Sequence, residues 1–212
     1  KRMGIGEPFT VTVPTDISTE LSKLTILGPS CFDGGDMDAF VQHLNPDAPQ
    51  LGQSYEKFAK HYGIRGDVAF AQALYETDNF RFRGDINCEQ NNFCSLGVTD
   101  SKRSGFSFPT AQSGVLAHIQ HLYAYASTDP LPEGYPLVDP LFNDVERGSA
   151  KTWVALNEQR PVPESDDDRS ILQIYEKMTR FIENEKPSAQ TAFITKWFRH
   201  LKNVWTKLRG KQ

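Results

Sequence analysis

Glu76 is the residue in this chain best placed by its context to do chemistry. It ends the run Asp67-Val-Ala-Phe-Ala-Gln-Ala-Leu-Tyr-Glu76. Val68, Phe70, Ala71, Ala73 and Leu74 make that stretch a helix apolar on most of its circumference, and hence a buried one. Removing a carboxyl group from water disfavours its charged form, so a Glu in such a setting suits general-acid work near neutral pH. Protonation of a glycosidic leaving oxygen is one reaction with that requirement. The competing reading is a carboxylate that merely points into solvent at a helix end. Asp85 and Glu89, on the segment that follows, are the candidates for a second catalytic group, with a solvated loop carboxylate as the default for each. A separation of about 6.5–9.5 Å would leave room for an attacking water, and one of about 5 Å would imply a covalent nucleophile.

These residues need elements to hold them. Asp67 reads as the N-cap of the helix that ends at Glu76. Before it, Tyr55, Phe58, Ala59 and Tyr62 recur at helical spacing, and Gly63 stands where a C-cap glycine belongs. Earlier still, Phe40, Val41 and Leu44 form a short helical stripe stopped by Asn45-Pro46. Between 81 and 108, Gly84, Gly97 and Gly105 with short apolar pairs suit a β-hairpin or an irregular lobe. Val115, Leu116, Ile119, Leu122 and Tyr123 return to helical spacing. Four prolines make 128–149 a loop, and helices are expected over 149–157 and 168–184, the second capped by Asp166-Asp167-Asp168. The domain so defined covers 36–185. Residues 1–35, with one alternating stretch from Phe9 to Val13, read as a leader or linker, and Lys186-Pro187 separates a C-terminal segment, 188–212.

Several blocks in order carry a resemblance. They are Arg65-Gly66-Asp67 through Leu74-Tyr75-Glu76-Thr77, then Gly84-Asp85, then Asn91-Asn92-Phe93-Cys94-Ser95-Leu96-Gly97, followed by Phe108-Pro109-Thr110, Tyr123-Ala124-Tyr125-Ala126-Ser127, Val138-Asp139-Pro140 and Arg147-Gly148-Ser149. Together they resemble the glucosaminidase domains of bacterial autolysins and phage lysins, glycoside hydrolase family 73, over about residues 36–180. Ser95 is a departure, since the first of two glycines usually stands there. The resemblance implies a mainly α, lysozyme-like α+β fold: a helical domain with a short β-hairpin lobe beside the catalytic helix. It implies an endo-β-N-acetylglucosaminidase acting on peptidoglycan, with Glu76 as the general acid and no cofactor. For the second group it leaves a carboxylate on the β element, a tyrosine or the substrate's acetamido group; Asp85, within the Gly-Asp block, is preferred to Glu89.

The candidate substrate-binding residues are Gln72, Asn91, Asn92, Phe93, Tyr123 and Tyr125. Amides suit sugar hydroxyl and N-acetyl groups, although Asn-Asn also forms turns and tyrosines at helical spacing also pack cores. His118 and His121 lie three apart on one helix, but no third ligand has a motif to support a metal. Cys88 and Cys94 flank the asparagines and would staple the β element if oxidised.

The 212 residues have 38% hydrophobic and 24% charged side chains, ordinary globular values. No apolar run is long enough to span a bilayer. The chain begins Lys1-Arg2-Met3 without a signal peptide, so an extracellular or wall location is expected from the substrate alone, with a fragment or phage origin open. The last 22 residues hold six Lys/Arg and no Asp/Glu, which leaves 17 basic against 27 acidic side chains before them, a net of −10. No basic, aromatic-interleaved face for nucleic acid appears in the body. The tail's Phe193, Ile194, Trp197, Phe198, Leu201, Val204, Trp205 and Leu208 follow helical spacing among its cations, which suits an anionic wall polymer or membrane surface as well as docking on the acidic body. The rival functions are a lytic transglycosylase on the same fold and a non-catalytic wall-binding or phage-tail module, against which the presence of Glu76 argues.

Overall fold

A computed structural model describes residues 23–84, 86–99, 103–158 and 170–185. Six α-helices dominate these residues: α1 Gly34–Leu44, α2 Gly52–Tyr62, α3 Gly66–Glu76, α4 Ala111–Ala126, α5 Trp153–Glu158 and α6 Ile171–Glu185. The only paired strands among them are β1 Val98–Thr99 and β2 Arg103–Ser104, two residues each and antiparallel. The architecture is mainly helical, in keeping with a lysozyme-like fold.

α3 is the centre of the molecule. Every residue from Gly66 to Leu74 is buried, as an apolar circumference requires. α2 and α6 pack against it, α1 lies against α2 and α6, and α4 packs on α2. Helix ends follow local chemistry. Asp33 and Asp36 form a reciprocal capping box on α1, Thr110 and Ser113 do the same on α4, and Gly63 closes α2 at φ +68°.

Two expectations about local structure change. Asp67 is not the N-cap, a place Arg65 takes: it is the second residue of α3, fully buried, where its Oδ2 accepts from the Cys31 backbone N–H at 2.6 Å and the Tyr175 hydroxyl at 3.2 Å. α5 begins at Trp153 rather than 149, because residues 148–151 are occupied in turns against α4, with Gly148 N–H on Ala124 O and Ala150 N–H on Tyr125 O. The start of α6 is bonded by Ser170, whose hydroxyl accepts from Gln173 N–H while Gln173 Oε1 accepts from Ser170 N–H. Asp166, Asp167 and Asp168 lie outside the described residues.

Residues 23–33, within the stretch read as a leader, enter the core. Ile26 is completely buried, bonding Lys151 O through its N–H and accepting from Arg65 N–H, while Phe32 packs on the Tyr175 ring. The tail, 188–212, lies outside the described residues, as does the Phe9–Val13 stretch.

Candidate active site

Glu76 is the last residue of α3 and half-buried, so the helix delivers its carboxyl to the edge of the core. Thr77 sets how the chain leaves. Its side chain is buried, its hydroxyl donates to Ala73 O at 2.7 Å, and the same oxygen accepts from Phe80 N–H at 2.9 Å. Asp78, Asn79 and Phe80 then take left-handed φ values of 50°, 58° and 59°. Non-glycine residues rarely adopt this backbone, and three in succession need outside support. Asn45 supplies some by donating to Asn79 O at 2.8 Å. The ring of Phe80 packs edge-on against Phe70 and Phe93.

The Asn91–Gly97 loop lies against this corner. Asn92 is fully buried; its amide donates to Leu96 O and Phe106 O, and its oxygen accepts from Leu96 N–H, all at 3.0 Å. Ser95, held by that clamp at φ +55°, donates its hydroxyl to Glu76 Oε2 at 2.8 Å. A fixed loop thus meets a carboxyl at the end of a buried helix, an arrangement able to present one acid group to a ligand above the core.

Residues 52–205 match the glucosaminidase family, described as mannosyl-glycoprotein endo-β-N-acetylglucosaminidase. The chain belongs to this family. It is a glycoside hydrolase of the endo-β-N-acetylglucosaminidase class, a peptidoglycan-degrading enzyme. An uncharacterized protein of Borreliella burgdorferi is 37% identical over 147 residues, 65% of this chain and 71% of that protein. No solved structure matches the chain. The matched range starts later than the resemblance seen in the motifs and runs on through most of the basic tail.

In this glucosaminidase the residues expected to touch sugar divide sharply. Gln72 is buried, its Oε1 3.1 Å from His118 Nε2. Asn92 is spent on its own loop. Phe93 is buried with Phe80 and Phe82, and Tyr123 is buried, donating to Pro130 O at 3.1 Å. These four act within the scaffold as placed. Asn91 and Tyr125 are half-buried; the Asn91 amide donates to Phe108 O at 3.0 Å. Asp85 lies outside the described residues, and Glu89 is exposed on a single 3₁₀ turn, Cys88–Gln90.

His118 and His121 face different partners. His118 is fully buried with Nδ1 2.9 Å from the Tyr55 hydroxyl, and burial drives its pKa down to about 3, so it is a neutral core residue. His121 Nδ1 lies 2.9 Å from the buried carboxylate of Asp139. Cys88 and Cys94 are free thiols, and burial pushes the Cys94 thiol well above its usual range.

Motif reading had passed over Thr77, Ser95 and Arg147 as working side chains. Arg147 stacks on Phe142 at 4.5 Å and donates to Ser127 O at 3.1 Å and Asp129 O at 2.8 Å, tying the end of α4 to the loop after it. The signals were present: a Thr after the Glu, and a Ser in a glycine's place.

Proposed function

We propose that this enzyme cleaves the β-1,4 bond after N-acetylglucosamine in peptidoglycan glycan strands, with Glu76 as the general acid. The observation that carries this is the half-buried Glu76 carboxyl at the end of a buried helix, gripped at Oε2 by Ser95. Its proton passes to the leaving glycosidic oxygen as the C–O bond breaks and positive charge grows on the sugar ring. Asp85 is proposed to assist, either by deprotonating the attacking water or by bonding to the sugar. The substrate puts the site of action at the cell wall or outside the cell. The basic tail is proposed to favour anionic wall polymers or membranes, an attraction that should weaken steeply as salt rises past about 0.1 M.

Glu76→Gln keeps size and polarity but has no acidic proton to give. Hydrolysis of purified walls should fall by about 10²–10⁴-fold with the circular dichroism spectrum unchanged. Activity within a factor of a few of the parent would refute the assignment. Mass spectrometry of the fragments should find reducing N-acetylglucosamine ends; anhydro-sugar ends would point to transglycosylation instead.

A further inference from the structure

We propose that Ser95 is a positioning residue that fixes the rotation of the Glu76 carboxyl group. The inference rests on Glu76 being the general acid and adds a second side chain to that assignment.

Two independent observations converge on Ser95. The first is conformational. Its φ of +55° lies in the region that glycine occupies freely and that a side chain with a Cβ opposes. A serine at this point is the more strained choice for the turn, so the backbone gives no reason for it. The second is its contact. The hydroxyl donates to Glu76 Oε2 at 2.8 Å across 19 residues of sequence. A glycine would leave that oxygen without this donor.

The hydroxyl is also held still. Asn92 bonds both the N–H and the carbonyl of the next residue, Leu96, whose side chain is buried, and Val98 N–H donates to the Ser95 carbonyl at 3.1 Å. Glu76 closes a helix whose residues Gly66 to Leu74 are all buried, and Thr77 locks the backbone directly after it. The backbone at Glu76 is thereby set, and its carboxyl turns about the side-chain bonds. A donor anchored to a rigid loop removes that freedom. Held through Oε2, the carboxyl group keeps one orientation, as a group that must deliver a proton in a fixed direction requires.

The test compares Ser95→Gly and Ser95→Ala with the parent enzyme and with Glu76→Gln, on soluble glycan oligomers and by thermal melting. Both serine variants should lose roughly 10-fold in kcat, a fraction of the about 10²–10⁴-fold a general acid contributes, with KM changed by less than about 2-fold. Stability should move differently. Ser95→Gly relieves the backbone and should melt at or above the parent temperature, whereas Ser95→Ala keeps the strain, loses the bond and should melt lower. A merely structural serine would tie rate to melting temperature. Parent-like kcat in Ser95→Gly, with Glu76→Gln inactive, would overturn the role of Ser95 alone. Parent-like activity in Glu76→Gln would overturn both assignments together.

Discussion

Gly114 of α4 lies directly against the backbone carbonyl of Asn91, so close that a methyl group on Gly114 would overlap the Asn91 oxygen. This contact seats the Asn91–Gly97 loop, and with it Ser95, on α4. Phe93 flanks the same point, with a ring carbon 3.2 Å from where the methyl would be. The obstacle on one side is main chain, which cannot rotate out of the way.

Gly114→Ala should therefore destabilise the fold by about 1–3 kcal/mol in urea denaturation, the usual range for overpacking. The same variant should also lose hydrolytic activity at temperatures where it remains folded, because the loop that meets Glu76 must shift. Unchanged stability would mean that the loop moves at no cost and that its seat on α4 is loose.

Asn92 offers a separation of scaffold from sugar binding. Its two bonds to Leu96 and one to Phe106 O leave its buried amide no face toward a ligand. Asn92→Ala removes the partner of the Leu96 N–H and of the Phe106 carbonyl, at about 1–3 kcal/mol for each group left unsatisfied, while Leu96 O keeps the Phe106 N–H. A clear drop in melting temperature is expected. A rise in KM with an unchanged melting curve is the outcome that would return Asn92 to the substrate.

His118 makes stability depend on pH. Burial, reinforced by the neighbouring His121, lowers its pKa from 6.5 to about 3, so the unfolded chain binds a proton that the folded protein refuses between those values. The contribution of a neutral His118 is complete above pH 6.5 and is lost as the pH falls toward 3, at about 1.4 kcal/mol per pH unit. Asp67 acts in the opposite sense. Burial raises its carboxyl above 3.8 despite bonds from Cys31, Val68 and Tyr175, so its share of stability declines as pH rises through its folded value. The comparison of parent with His118→Asn isolates the histidine. Between about pH 4 and 6 the variant's unfolding free energy should rise less steeply with pH, by about one proton's worth. Equal slopes in the two proteins would show that His118 is protonated in the folded state.

Local pattern determined where α2, α3 and α6 run. Periodicity over 55–62, 68–74 and 171–182 forecast α2, α3 and α6, Gly63 marked the end of α2, and the family blocks marked Glu76. These features depend on neighbours three or four residues away, so they are written along the chain. Tertiary structure decided which polar side chains the core would consume. Gln72 and His118 meet across 46 residues, Tyr55 and His118 across 63, and Asp67 and Tyr175 across 108. Nothing in the local pattern distinguishes an Asn that binds sugar from Asn92, which closes a loop. The docking of Ile26 and Phe32 was hidden for a related reason: the chain around them is rich in Thr, Ser, Pro and Gly and carries no repeat, and their burial is determined by surfaces that α2, α3 and α6 present only once packed. Even Ser95, visible as a substitution for glycine, acquired a chemical meaning only when the fold brought its hydroxyl to Glu76. A hydrogen bond is a relation between positions in space, and only the packed chain supplies those positions.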